Sequence, residues 1–174
     1  MLTLEFFERE DFNLLMSWID SPETTLKWSG PAFDFPLTIE QLNAYIRDAN
    51  QEGSEEFIYK AIEQETGEVV GHISLGKVDR QHETGRIGKV FVKEGARGNG
   101  YGREMVELML KKGFNELSLN RISLGVFDFN TSAIKSYEKA GFQKEGLFRE
   151  VRKMKDTYWS SYEMSILKRE WLQR

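Results

Sequence analysis

The chain has 174 residues, with 28 acidic against 24 basic side chains and a formal charge of -4. That length fits a single domain over residues 1–174, burying roughly 70% of its unfolded surface without metal or disulfide staples. The 40% apolar content argues against disorder. The lack of cysteine excludes a disulfide framework, a thiolate nucleophile and a Cys-ligated metal, and the acidic balance opposes non-specific nucleic-acid binding.

Residues 2–7 are predicted as an edge strand. Phe12, Leu15, Met16 and Ile19, spaced three and four apart, predict a helix over 11–19. Pro22, Pro31 and Pro36 fall in the next stretch, read as a loop or as helical turns and a loop. Thr38, with Gln41 three residues on, starts a helix carrying Leu42, Tyr45, Ile46 and Ala49. A three-strand meander comes next over 56–63, 69–77 and 85–92, its first turn being Glu65-Thr66-Gly67-Glu68.

Met105, Val106, Met109 and Leu110 mark one face of a helix over 101–114. Ile122, Leu124 and Val126 alternate in a strand over 121–127. Ala133, Ile134, Tyr137 and Ala140 line a helix over 130–140, which Gly141 ends. Strands over 142–148 and 158–167 close the chain, separated by a basic turn at 149–155. The fold class is therefore α/β: a mixed, mostly antiparallel sheet with helices on its faces, not a doubly wound one.

His72 is read as a strand residue and His82 as a solvent-facing turn residue, and no metal is expected. No apolar run approaches the roughly 20 residues that cross a bilayer, and the first residues lack a signal pattern. No membrane partner and a cytoplasmic location are the expectation.

The densest signal is Arg97-Gly98-Asn99-Gly100-Tyr101-Gly102, between a strand and the helix over 101–114. Glycines allow close approach, and a helix start offers unpaired N–H groups, so the turn suits a pyrophosphate. Tight helix–sheet packing is the structural alternative. A P-loop is excluded because no Lys-Ser or Lys-Thr comes after the glycines, and the spacing of a dinucleotide fingerprint fails.

This segment matches the (Gln/Arg)-x-x-Gly-x-(Gly/Ala) motif of the GCN5-related N-acetyltransferases, the GNAT family. The run Asn130-Thr131-Ser132-Ala133-Ile134-Lys135-Ser136-Tyr137-Glu138-Lys139-Ala140-Gly141-Phe142 matches the family's second motif, Asn-x-x-(Ala/Ser)-x-x-x-Tyr-x-x-x-Gly-Phe. The element order also agrees over nearly the whole chain. The chain resembles the branch containing ribosomal-protein N-terminal acetyltransferases.

The resemblance implies the GNAT fold, a seven-stranded sheet flanked by about four helices, with splayed fourth and fifth strands. It implies acetyl-CoA as cosubstrate, with Arg97, Gly98, Asn99, Gly100, Tyr101 and Gly102 at its pyrophosphate and Phe91 and Val92 beside the pantetheine arm. Asn130 matches a family position near the pantetheine, and it also suits a helix N-cap. Tyr137 matches the general acid that protonates the departing thiolate, although its helical phase also suits a core residue. Many relatives carry a carboxylate where this chain has Arg86, so Glu83 and a relayed water are the candidate bases.

Trp28, Phe33, Phe35 and Tyr45 are candidates to line the acceptor site or to pack the helices on the sheet. Glu52, Glu55 and Glu56 are read as a solvated acidic face, attraction of a cationic amine being the alternative, and Arg149, Arg152, Lys153 and Lys155 as a solvated basic one, the adenosine 3′-phosphate or an RNA being the alternatives. The resemblance implies acetyl transfer to a primary amine, on a protein N-terminus or a small molecule, by a monomer or homodimer. The other readings are a non-catalytic acyl-CoA-binding module and a longer-chain acyltransferase.

Overall fold

A computed structural model describes residues 1–174. Seven strands form one sheet: β1 (Leu2–Phe6), β2 (Phe57–Glu63), β3 (Val69–Asp79), β4 (Thr84–Val92), β5 (Arg121–Phe127), β6 (Gln143–Met154) and β7 (Thr157–Leu167). Their spatial order is β1-β2-β3-β4-β5-β7-β6, and only β4 and β5 run parallel. A parallel pair needs a crossover, and here it is α4 (Tyr101–Lys111), continued by a π-helical turn over Lys112–Glu116. Met105, Val106, Met109, Leu110 and Phe114 bury this stretch against one face of the sheet.

The opposite face is covered by α1 (Phe12–Trp18), α2 (Pro22–Ser29) and α3 (Ile39–Ile46), whose Phe12, Leu15, Trp28 and Leu42 form a second core with Phe7 and Ile58. α2 falls inside the proline-rich stretch. Ser21 caps it by accepting from the Thr24 N–H, and Pro22 occupies its first turn, where a missing N–H costs nothing. With α5 (Thr131–Lys139) and the short α6 (Lys168–Leu172), the helices number six and not about four.

Residues 149–154, expected as a basic turn, are instead the second half of β6. After a bulge at 149–151, Arg152, Lys153 and Met154 pair with β7 as far as Met154↔Thr157, so the turn shrinks to Lys155 and Asp156. Lys155 Nζ then meets Glu23 Oε1 of α2 at 2.6 Å, tying the hairpin tip to the opposite helical layer. No helix is long and apolar enough to cross a membrane.

Two irregularities of β4 shape the site. Its pairing with β5 stops after Thr84↔Arg121, Gly85↔Ile122 and Arg86↔Ser123, and the strands then separate. On its other edge, Lys89 and Val90 oppose the single residue Ile73, a β-bulge flanked by the pairs Ser74↔Gly88 and His72↔Phe91. Lys89 sits there at φ +51°. Its carbonyl accepts from Trp28 Nε1 at 3.0 Å and His72 Nδ1 at 2.9 Å. The bulge thus fastens α2 to β4.

Candidate active site

The separation of β4 from β5 opens a cleft of about 970 Å³. Beyond Arg86 and Ser123 the facing backbone groups of the two strands have no partner in each other. Arg86 occupies the vertex. It donates to Ser123 Oγ at 3.2 Å and pairs with Glu163 of β7 at 2.5 Å. A Cβ on residue 125 would stand 2.7 Å from the Arg86 guanidinium, so Gly125 lets that group cross over β5.

Tyr137 and Asn130 bring α5 to the cleft. Asn130 does two things, because its Oδ1 accepts from the Ala133 N–H as the helix cap while the residue lines the wall. Tyr137 is buried, and burial alone pushes its phenol up to about 12, with no hydrogen bond contributing. It is therefore protonated throughout the neutral range.

The glycine-rich turn sits where β4 feeds α4. Gly98 and Gly100 have φ +85° and +80°, a region that favours glycine. Gly100 caps α4 with no side-chain bond, and the amides of residues 98–103 donate to no acceptor in the chain. Residues 97–100 are exposed. Arg97 Nε donates to Val92 O at 3.1 Å, and its guanidinium lies 5.4 Å over the Phe91 ring, which locates a cation beside these amides. Asn99 is tied back to Ala96 O. The Tyr101 hydroxyl donates to Glu63, so its side chain turns toward β2 and only its backbone serves the turn. Gly102 packs its Cα side on Val92. An array of orphan N–H groups at a helix start with a neighbouring arginine fits a pyrophosphate.

The remaining expected residues are distributed unevenly. Trp28 lines the cleft. Phe33 stacks on it at 5.1 Å and meets Tyr45 edge-on at 5.2 Å, and these two line a side pocket of about 330 Å³. Phe35 is exposed and lines neither cavity. Glu83, at φ +53°, is exposed at the closed end of the β4–β5 pair, where its carbonyl accepts from the Asn120 and Arg121 amides. It does not line the cleft.

His72 is buried among Phe7, Trp28 and Tyr45 and is held as the Nδ1–H tautomer by Lys89 O. Burial pulls it down to about 4, so it is neutral and structural at pH 7. Glu56, read from sequence as part of a solvated face, instead lines both cavities. The signal available for it was its place at the start of the strand expected over 56–63, which does not say where a side chain points.

A family model described as an acetyltransferase (GNAT) domain matches residues 1–143. The chain belongs to the GNAT family. It is an acetyl-CoA-dependent N-acetyltransferase. This GNAT enzyme is 32% identical to the uncharacterized N-acetyltransferase p20 of Bacillus licheniformis, over 98% of this chain and 94% of that one. It is 23% identical to the spermidine N(1)-acetyltransferase of Vibrio cholerae, over 99% and 96% of the two chains. A crystal structure of spermidine N-acetyltransferase from Vibrio cholerae in complex with CoA and spermine superposes with a TM-score of 0.85 at 22% identity, covering 98% of each chain. The seven-stranded GNAT fold is thereby shown.

Proposed function

We propose that this enzyme transfers the acetyl group of acetyl-CoA to a primary amine by direct attack in the β4–β5 cleft. The amides of residues 98–103 and Arg97 would hold the pyrophosphate, and the strand edges near Phe91 and Val92 would flank the pantetheine arm, with Asn130 close by. The amine nitrogen adds to the thioester carbonyl, the carbon–sulfur bond breaks, and the proton lost by the amine passes through water to the Tyr137 oxygen, so that the products are the amide and the free thiol. The Tyr137 hydroxyl, protonated at neutral pH, hydrogen-bonds to the departing sulfur and passes it a proton while the proton released by the amine restores the phenol.

One observation carries this reading: a phenol without an internal hydrogen bond lines the gap between two parting strands, in the same molecule as an unpaired amide array at the start of α4. Placement supplies much of the rate in such a site, since a bound amine and thioester react as one molecule. Glu83 receives no role, because it lies outside the cleft.

The acceptor enters beside Trp28 and the β6–β7 hairpin, where α2 and Arg152 line the opening. It is a primary amine of a small molecule or of a protein N-terminus, the latter being what the resemblance to the ribosomal-protein branch favours. Calorimetry with acetyl-CoA, paired with thiol release across amino acids, peptides, polyamines and aminoglycosides, tests the reading. Binding together with amine-dependent thiol release is expected. Binding with no release for any amine would make the chain an acyl-CoA-binding module.

A further inference from the structure

The acceptor side of the cleft carries polar groups that the transfer chemistry leaves unused. Glu56 Oε2 is buried and has no hydrogen-bond partner, while Oε1 takes only a long bond from the Lys77 N–H at 3.3 Å. The carboxylate has room there because residue 76 is glycine, and a Cβ would lie 2.3–2.6 Å from its atoms. A buried carboxylate oxygen without a donor is costly, so a site that holds one is built for a donor arriving from outside.

Lys89 lines the same two cavities, with its ammonium 5.0 Å over the Tyr45 ring and no ion-pair partner. Ala32, Glu56 and Lys89 are the residues shared by the cleft and the Phe33–Tyr45 side pocket, so the two opposite charges stand where the cavities meet.

The balance of charge in the cleft points the same way. Arg86 and Glu163 neutralise each other, and Arg121 is held by Glu145 at 2.6 Å. That leaves Lys27, Lys77, Lys89 and Arg152 against the single carboxylate of Glu56, in a chain whose total charge is -4. Such a wall repels a polycation and attracts an amine that also carries negative charge.

We propose that the acceptor is a small amine bearing a carboxylate, its amino group received by Glu56 and its carboxylate by Lys89. An apolar side group would enter the Phe33–Tyr45 pocket. The assignment rests on the acetyltransferase reading and narrows its acceptor.

The test compares phenylalanine and glycyl-phenylalanine with their C-terminal amides and with spermidine, by acetyl-CoA-dependent thiol release at one pH. Amidation removes the carboxylate and also lowers the basicity of phenylalanine's own amine, a bias against the expected result. The free acids are expected to exceed both the amides and spermidine in kcat/KM by at least roughly tenfold, the scale of one charge-assisted contact. Lys89→Gln should bring acids and amides to within about twofold, and Lys89→Arg should restore the gap.

Glu56→Gln should lower kcat/KM for every amine while leaving acetyl-CoA affinity unchanged. Gly76→Ala, which displaces that carboxylate, should do the same in a chain whose melting curve shows it folded. Equal rates for acids and amides, or a preference for spermidine, would overturn the assignment and leave the acetyltransferase reading intact. Turnover of other amines with none for the two free acids would overturn it as well. Absence of thiol release with every amine would remove the acetyltransferase reading itself.

Discussion

Arg86 Nη1 lies 2.5 Å from Glu163 Oε1, reaching across β5 at the last register pair before β4 and β5 part. The two side chains clamp three strands at the vertex of the cleft. Both are partly exposed, so solvent weakens the pair, and its loss should cost about 1 kcal/mol. Arg86→Ala is therefore expected to lower Tm by roughly 2–4 °C and to reduce thiol release several-fold, as read by a melting curve and an initial-rate assay. Arg86→Glu should lower turnover further because the new carboxylate would face Glu163. A faster Arg86→Glu enzyme would show that the clamp is dispensable.

Tyr137→Phe separates the two roles of that ring. The ring's packing survives, so Tm should change little, while kcat should fall roughly a hundredfold with the KM for acetyl-CoA nearly constant. In the folded chain burial raises the phenol from its ordinary 10 to about 12. The stability associated with the neutral phenol is therefore complete below pH 10 and is lost as the pH rises from 10 towards 12. Tyr137→Phe should flatten the alkaline side of the stability curve over that interval.

Gly100 and Gly102 should respond differently to alanine. At φ +80°, alanine at position 100 is strained by about 1 kcal/mol even though nothing stands within 4 Å of its Cβ. Gly100→Ala is expected to disturb the unpaired amides and weaken acetyl-CoA binding in calorimetry. Gly102 has ordinary helical φ, and its added Cβ would meet only Val92 at 3.8 Å. Gly102→Ala should keep acetyl-CoA affinity and stabilise the helix by up to roughly 1 kcal/mol.

His72 supplies an acid-side prediction. Its folded pKa is depressed to about 4 by burial, against 6.5 when unfolded. Its stabilisation is present above pH 6.5 and disappears as the pH falls through 4, for a total on the order of 3 kcal/mol. Melting temperatures between pH 7 and 4 should fall, and a His72→Phe chain that folds should show a shallower decline. An identical slope would remove His72 as the cause.

The motif residues were legible because their signals are local. Gly98 and Gly100 announce a backbone that few other residues adopt, and Asn130 is both a cap and a wall residue on one helix turn. Tyr137 was marked as a candidate only by the neighbouring motif, since its spacing from Ile134 equally fits the core in which it is buried. Glu56 misled for the opposite reason. A short run with Glu52 and Glu55 looks like a solvated face, yet the β2–β3 register places its carboxylate over Gly76. The basic segment at 149–154 misled in the same way, because pairing with β7 outweighed its polarity.

By itself the sequence determined the order of the seven strands and of four of the six helices, the caps Thr38 and Asn130 and the glycine turn, since backbone preference and hydrophobic period act over a few neighbouring residues. The tertiary structure alone decided that Arg86 would be held by Glu163, that Lys89 would bulge toward Trp28, and that Glu56 would face a cavity. Those outcomes depend on which strands become neighbours and in what register, and no local segment carries that information.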